Sequence, residues 1–131
     1  MVDLAPHRTE IQVRFADTDA LGHLNNTSYA LYAEQARLEF LRAATSERPE
    51  GFILAHIALD FRRQTRFGDA VHVLTWVAEV GSTSVTLAQQ VVSADAVAAD
   101  IRSVIVRFDY GTQRPVRLQQ DERAWLEARR R

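Results

Sequence analysis

The chain has no cysteine and no lysine, and each absence removes a class of chemistry. Without cysteine there is no thiolate nucleophile, disulfide framework, iron–sulfur cluster or cysteine-ligated zinc. All sixteen basic residues are arginine, so Schiff-base and pyridoxal-phosphate chemistry and a Walker-A phosphate loop are excluded as well. No sign of charge dominates: sixteen basic and seventeen acidic residues leave a formal charge of −1. That balance offers no electrostatic footprint for nucleic acid or an anionic membrane. No apolar run approaches the roughly 18 residues of a membrane-spanning helix. The first ten residues lack the apolar core of a secretory signal, so a cytoplasmic location is expected. With three prolines and five glycines there is no linker-like tract and no internal repeat. At 131 residues, 47% hydrophobic and 25% charged, the expectation is a single globular domain over 1–131.

Ile11, Val13 and Phe15 alternate with polar neighbours, the pattern of a half-buried strand. A polar, turn-prone stretch follows from Asp17 to Asn26. From Thr27 to Ala44 the period becomes 3.6, with Tyr29, Ala33, Ala36, Phe40 and Ala43 on one face and Tyr32 at its edge. Leu31, Leu38 and Leu41 form a second apolar set beside Glu34 and Arg42. Asn26, Thr27 and Ser28 are the candidate N-caps. Ser46–Gly51, with Pro49, ends the helix. Four strands follow, at Phe52–Arg66, Val71–Val80, Val85–Val92 and Val97–Tyr110, separated by Gly68-Asp69 and Gly81–Ser84 and closed by Gly111 and Pro115. Residues 116–131 are a charged tail with a short helix around Trp125 and Leu126. Short turns join antiparallel neighbours, so the expected architecture is α+β: one curved antiparallel sheet wrapped around one long helix.

The four histidines, His7, His23, His56 and His72, show no metal-ligand spacing, and no metal site is expected. Chemistry concentrates in Phe15-Ala16-Asp17-Thr18-Asp19-Ala20-Leu21-Gly22-His23-Leu24-Asn25-Asn26-Thr27-Ser28-Tyr29. Two carboxylates, an imidazole and two carboxamides sit in the turn before an apolar helix. The free N–H groups of a helix start stabilise an anion. A carboxylate base beside such an oxyanion site is what acyl transfer to water needs. A polar loop braced by its aspartates and capped by its asparagines fits the same residues.

This segment, with Tyr32, Glu34, Ala36 and Arg37 after it, resembles the hot-dog-fold acyl-CoA thioesterases, in the branch of 4-hydroxybenzoyl-CoA thioesterase. The sharp part of the likeness covers residues 15–37. The resemblance implies a hot-dog fold, a five-stranded antiparallel sheet around a central helix. It implies that Asp19 is catalytic, either activating water as a general base or attacking the thioester carbonyl directly. It places the oxyanion donor at the backbone N–H of Asn26, and Gly22 where a side chain would obstruct the approaching thioester. His23 is a candidate to orient the carboxylate or thioester, against the alternative of a loop histidine bonded to backbone. Asn25 is a candidate substrate contact or a helix cap, and Tyr29 completes the motif as a candidate substrate contact.

Arg62 and Arg63, in a cluster with Arg66, are candidates for the phosphates of coenzyme A, or simply a soluble strand edge. Glu34 and Arg37 are spaced to pair along the helix, and Asp17 is expected to brace the turn. No cofactor is expected, coenzyme A being part of the substrate. An acyl carrier protein is the alternative thioester carrier, and a homodimer or homotetramer is implied, with sites at the subunit boundary. Two other functions share the fold: a hydratase or dehydratase, and a non-catalytic acyl-CoA-binding protein.

Overall fold

The 3.6-residue period forms a helix with a thin, buried face. In the computed structural model, which describes residues 4–44 and 51–131, α1 spans Asn26–Ala44. Tyr29, Tyr32, Ala33, Ala36 and Phe40 are buried, and Ala33 and Ala36 retain no accessible surface. A single methyl at each position lets the helix backbone lie close on the sheet. Ala43, expected on this face, is exposed. Of the second apolar set, Leu31 and Leu38 are exposed, whereas Leu41 is buried in the core. Of the expected helix-ending segment, only Gly51 lies within the described residues.

The strands are β1 (His7–Ile11), β2 (Phe52–Phe61), β3 (Val71–Val80), β4 (Ser84–Ser93), β5 (Ala96–Asp109) and the two-residue β6 (Arg114–Pro115). They form one antiparallel sheet in the order β1-β3-β4-β5-β2, with β6 beside β5. The helix packs on β1, β3 and β4. The expected architecture is therefore present, and the sheet order corrects one neighbour relation. β2 is not beside β3: it pairs with β5, from Phe52↔Arg107 to Phe61↔Ala99, at the far edge from β1. α1 carries the chain from one edge of the sheet to the other, and residues 62–70 carry it back. A turn signal such as Gly68-Asp69 marks where a strand ends but not which strand it then lies beside.

β1 also differs from expectation. Pairing ends at Ile11↔Val71 because β3 begins there, so Val13 and Phe15 have no partner strand. Phe15 starts a 3-10 turn, Phe15–Asp17, is 76% exposed, and meets the Phe67 ring edge-on at 6.0 Å. The tail is not free. α2, at Gln120–Glu127, buries Leu126 completely and sets Trp125 edge-on against Phe40 at 5.0 Å. Beyond it the Val77 N–H donates to Arg129 O (3.1 Å) and the Arg131 N–H to Val77 O (2.9 Å). These bonds extend the sheet past the end of β1.

The core has two apolar clusters under the helix. One includes Ile11, Tyr29, Ala33, Ala36, Val73 and Val91; the other includes Phe40, Leu41, Phe52, Leu87, Leu118 and Leu126. Buried Gln89 pins the middle of the helix, its Nε2 donating to Ala33 O (3.0 Å) and to Thr75 Oγ1 (3.1 Å). Enlarging Ala36 to leucine should force the helix off the sheet and cost about 1–3 kcal/mol. The check is a lower urea midpoint at unchanged m-value, and an unchanged midpoint would show that this face is loosely packed.

Candidate active site

The polar segment before α1 folds back on itself as a short ladder. The Asn25 N–H donates to Asp17 O (2.9 Å), Thr18 faces Leu24, and the Asp19 N–H donates to His23 O (2.7 Å). Gly22 closes the tip, its N–H donating to Asp19 O (3.2 Å) at a left-handed φ of +80°. That conformation strains any other side chain. A Cβ there would meet nothing within 4 Å, so backbone shape rather than crowding by this chain requires the glycine.

Asp19 is exposed at the tip. Its Oδ1 accepts the Leu21 N–H (2.8 Å) and the His23 N–H (3.2 Å). Its Oδ2 has no hydrogen-bond partner among the described residues, so one oxygen is oriented and the other is available. His23 is held through its backbone on both sides, bonded to Asp19 and bridged to Arg66. Among the described residues its ring makes no hydrogen bond. The expected carboxylate-orienting contact from the imidazole is therefore not formed, and backbone N–H groups orient Asp19 instead.

The helix cap is Asn25, the cap reading of that residue, and not Asn26, Thr27 or Ser28. Its Oδ1 accepts the Thr27 N–H (2.9 Å) and hydroxyl (2.8 Å), and its carbonyl accepts the Ser28 N–H (2.9 Å). The Asn25 carboxamide oxygen is thus committed to capping. The second and third helical N–H groups are satisfied, while the first, on Asn26, has no partner among the described residues. It stands at the positive end of the helix dipole, open to an anion. The ladder places Asp19 two residues beyond the Asn25 level, about 7 Å along the strand direction.

Asp17 ties these parts together. It is 5% exposed and its carboxylate accepts three hydrogen bonds: Tyr32 hydroxyl to Oδ2 (2.7 Å), Arg14 N–H to Oδ2 (3.0 Å) and Arg14 Nη2 to Oδ1 (3.0 Å). Its carbonyl accepts the Ser28 hydroxyl (2.9 Å) as well as the Asn25 N–H. Burial acts to raise the Asp17 carboxyl, but the bonds from Tyr32 and Arg14 outweigh it and hold it below the usual carboxylate value. Burial and donation to Asp17 push the Tyr32 phenol far up. The expected bracing role of Asp17 is visible here. The contribution of Tyr32 and Ser28 was not drawn from the sequence, although a tyrosine hydroxyl at the edge of a buried face has to find a partner.

Tyr29 is 3% exposed, its ring against Phe61 (5.5 Å) and its hydroxyl donating to Thr65 Oγ1 (3.1 Å). It anchors residues 62–66 rather than presenting a hydroxyl to a ligand. The same segment meets the site loop where the Leu24 N–H donates to Thr65 O (2.7 Å). Arg62 and Arg63 are thereby brought near the loop, both with backbone N–H groups on Ala98 O. The Arg62 guanidinium pairs with Asp100 (2.8 Å), which raises its pKa. Arg63 is exposed and has no side-chain partner among the described residues. The expected Glu34–Arg37 pair does not form among them: Glu34 is exposed, whereas Arg37 is 6% exposed with its Nη1 unpartnered. No group of three histidine, aspartate or glutamate side chains among the described residues could hold a metal ion. No helix among them is long and apolar enough to cross a membrane.

Several known proteins are similar to this chain in sequence or in fold. YsmA of Bacillus subtilis, an uncharacterized protein, is 28% identical over 81 residues, covering 60% of this chain and 55% of its own length. The match thus spans little more than half of that relative. The acyl-CoA thioester hydrolase YbgC of Escherichia coli is 28% identical over 95 residues, 67% of this chain and 70% of its own. The crystal structure of a thioesterase from Thermus thermophilus, complexed with coenzyme A and Zn, superposes with a TM-score of 0.88 at 28% identity. It covers 95% of this chain and 93% of that one. The model of the thioesterase-like superfamily matches residues 13–126, from the end of β1 to α2, and the chain belongs to that superfamily.

Proposed function

We propose that this thioester hydrolase cleaves an acyl-CoA to free acid and thiol, with Asp19 as general base or nucleophile and the Asn26 N–H as oxyanion donor. The observation that carries the reading is the pairing at one loop of a carboxylate with one oxygen unengaged and a helix N–H with no partner. In the base mechanism Asp19 Oδ2 takes a proton from water as the oxygen attacks the thioester carbonyl. In the nucleophilic mechanism Oδ2 attacks that carbon itself, the C–S bond breaks with the coenzyme A thiolate leaving, and water then hydrolyses the mixed anhydride to free acid and Asp19. Either way negative charge collects on the carbonyl oxygen, where a preorganised N–H at a helix start lowers the barrier. The coenzyme A complex of the Thermus thermophilus thioesterase supports the substrate class. Arg63, and Arg62 in exchange with Asp100, supply cationic groups for the diphosphate. An acyl carrier protein presenting the same pantetheine arm is the alternative carrier.

A second copy of the chain completes the assembly in this reading. β2 is a ten-residue edge strand whose outer side pairs with nothing among the described residues, and Leu54 and Phe61 on it are 45% and 51% exposed. Leu31 and Leu38 expose a further apolar face on α1. A long apolar edge of this kind is normally paired or covered.

Asp19→Ala and Asp19→Asn should each lower kcat for acyl-CoA hydrolysis by about 10²-fold or more. The melting point should hold, because Asp19 is exposed and bonded only within its own loop. Thiol release from an acyl-CoA panel is the measurement, and activity above roughly a tenth of wild type in either variant would defeat the assignment. An obligate interface of this kind buries more than roughly 2,000 Å², so sedimentation should show a dimer or tetramer and no monomer on dilution. Leu54→Glu should weaken the assembly and activity together. A fully active monomer would rule out a shared site.

A further inference from the structure

We propose that Tyr32 is a positioning residue for hydrolysis, acting through Asp17 to set the Asp19 carboxylate against the Asn26 N–H. The inference rests on the thioesterase reading of Asp19. Asp19 sits on a loop and Asn26 on a helix, so their spacing depends on whatever joins the two. Asp17 is that joint, two residues before Asp19 and hydrogen-bonded to Asn25 immediately before Asn26. Its side-chain donors are unequal. The Arg14 side chain is 66% exposed, and a bond to it competes with water. The Tyr32 hydroxyl comes from a residue 4% exposed on the second turn of α1, and its bond to Asp17 is the shortest of the three at 2.7 Å. Ser28, one turn earlier, holds the Asp17 carbonyl at 2.9 Å. The helix that carries the oxyanion donor therefore grips Asp17 at two points, one on the backbone and one on the carboxylate.

The network lies behind the site. Arg14, Asp17 and Tyr32 all line a groove of about 620 Å³ between β1 and α1, and neither Asp19 nor Asn26 borders it. Tyr32 therefore acts on geometry and not on the reacting atoms. Misplacing a catalytic group by about 1 Å can cost on the order of 10²-fold in rate. Loss of one of several bonds to Asp17 should produce part of that loss and leave ground-state binding alone.

Tyr32→Phe deletes only the hydroxyl. The expected result is a fall in kcat of about tenfold with KM within about twofold. Backbone amide resonances of Leu21, His23 and Asn25 should shift in the NMR spectrum, since they report the Asp19 and Asp17 acceptors. Thr75→Val is the control: it removes an equally buried hydrogen bond, from Gln89 beneath the same helix, away from the loop. It should lower the melting point and leave kcat and the loop resonances in place. Ser28→Ala provides the same readouts if Tyr32→Phe fails to fold. Unmoved loop resonances would overturn the proposal whatever the activity. So would a kcat loss no greater than that of Thr75→Val at an equal loss of melting point. Full activity in Asp19→Asn, measured alongside, would instead remove the catalytic aspartate and show that the underlying reading had failed.

Discussion

The arrangement depends on a charge kept out of water. A buried carboxylate is costly unless several donors meet it, and Asp17 draws its donors from either side of the loop. Arg14 lies before the turn and Tyr32 lies after the helix has begun. Meeting that requirement brings the end of the β1 segment onto the first turns of α1, and the residues between are forced out as a ladder with Asp19 at its tip. The folded state holds Asp17 below its ordinary value of 3.8. Its contribution to stability is therefore complete above that value and is lost as pH falls through the lower folded one.

α1 then acts as the common strut. Its N-terminus presents the Asn26 N–H, its first two turns hold Asp17, and its middle is pinned by Gln89. Its last turns enter the cluster closed by α2, through Phe40 and Leu41. Fully buried alanines on the face toward the sheet leave the helix little freedom to roll or lift. A loop that is exposed and hydrogen-bonded mostly to itself is held to a rigid scaffold at its base, which is where preorganisation matters.

The two sheet edges are treated differently. The β1 edge is short, and Arg129–Arg131 continue it alongside Val77. The β2 edge is long and carries exposed leucine and phenylalanine. It is joined through residues 62–66 to the site loop, where the Leu24 N–H donates to Thr65 O.

Alternation and period were legible for α1 and for β2 to β5, because side chains that meet one core face repeat at 3.6 or 2 residues. The candidate site was legible because Asp19, Gly22, His23, Asn25 and Asn26 are neighbours in the chain. Their gathering needs only a turn and a helix start. Relations between distant segments were not. The alternation at Val13 and Phe15 suits a strand, but β3 starts at Val71 and offers them no partner. Tyr29 belongs to the motif, yet its hydroxyl is taken by Thr65, 36 residues away. Arg62 reads as free in the sequence, and only the fold brings Asp100 to it. By itself the sequence determined the long helix and the positions of β2 to β5, and which few residues are candidates for the chemistry. Tertiary structure alone decided that β2 lies beside β5, that Thr65 takes the Tyr29 hydroxyl, and that Tyr32 reaches Asp17. Each of these depends on a hydrogen-bond partner distant in the chain, whose position exists only once the chain has closed on itself.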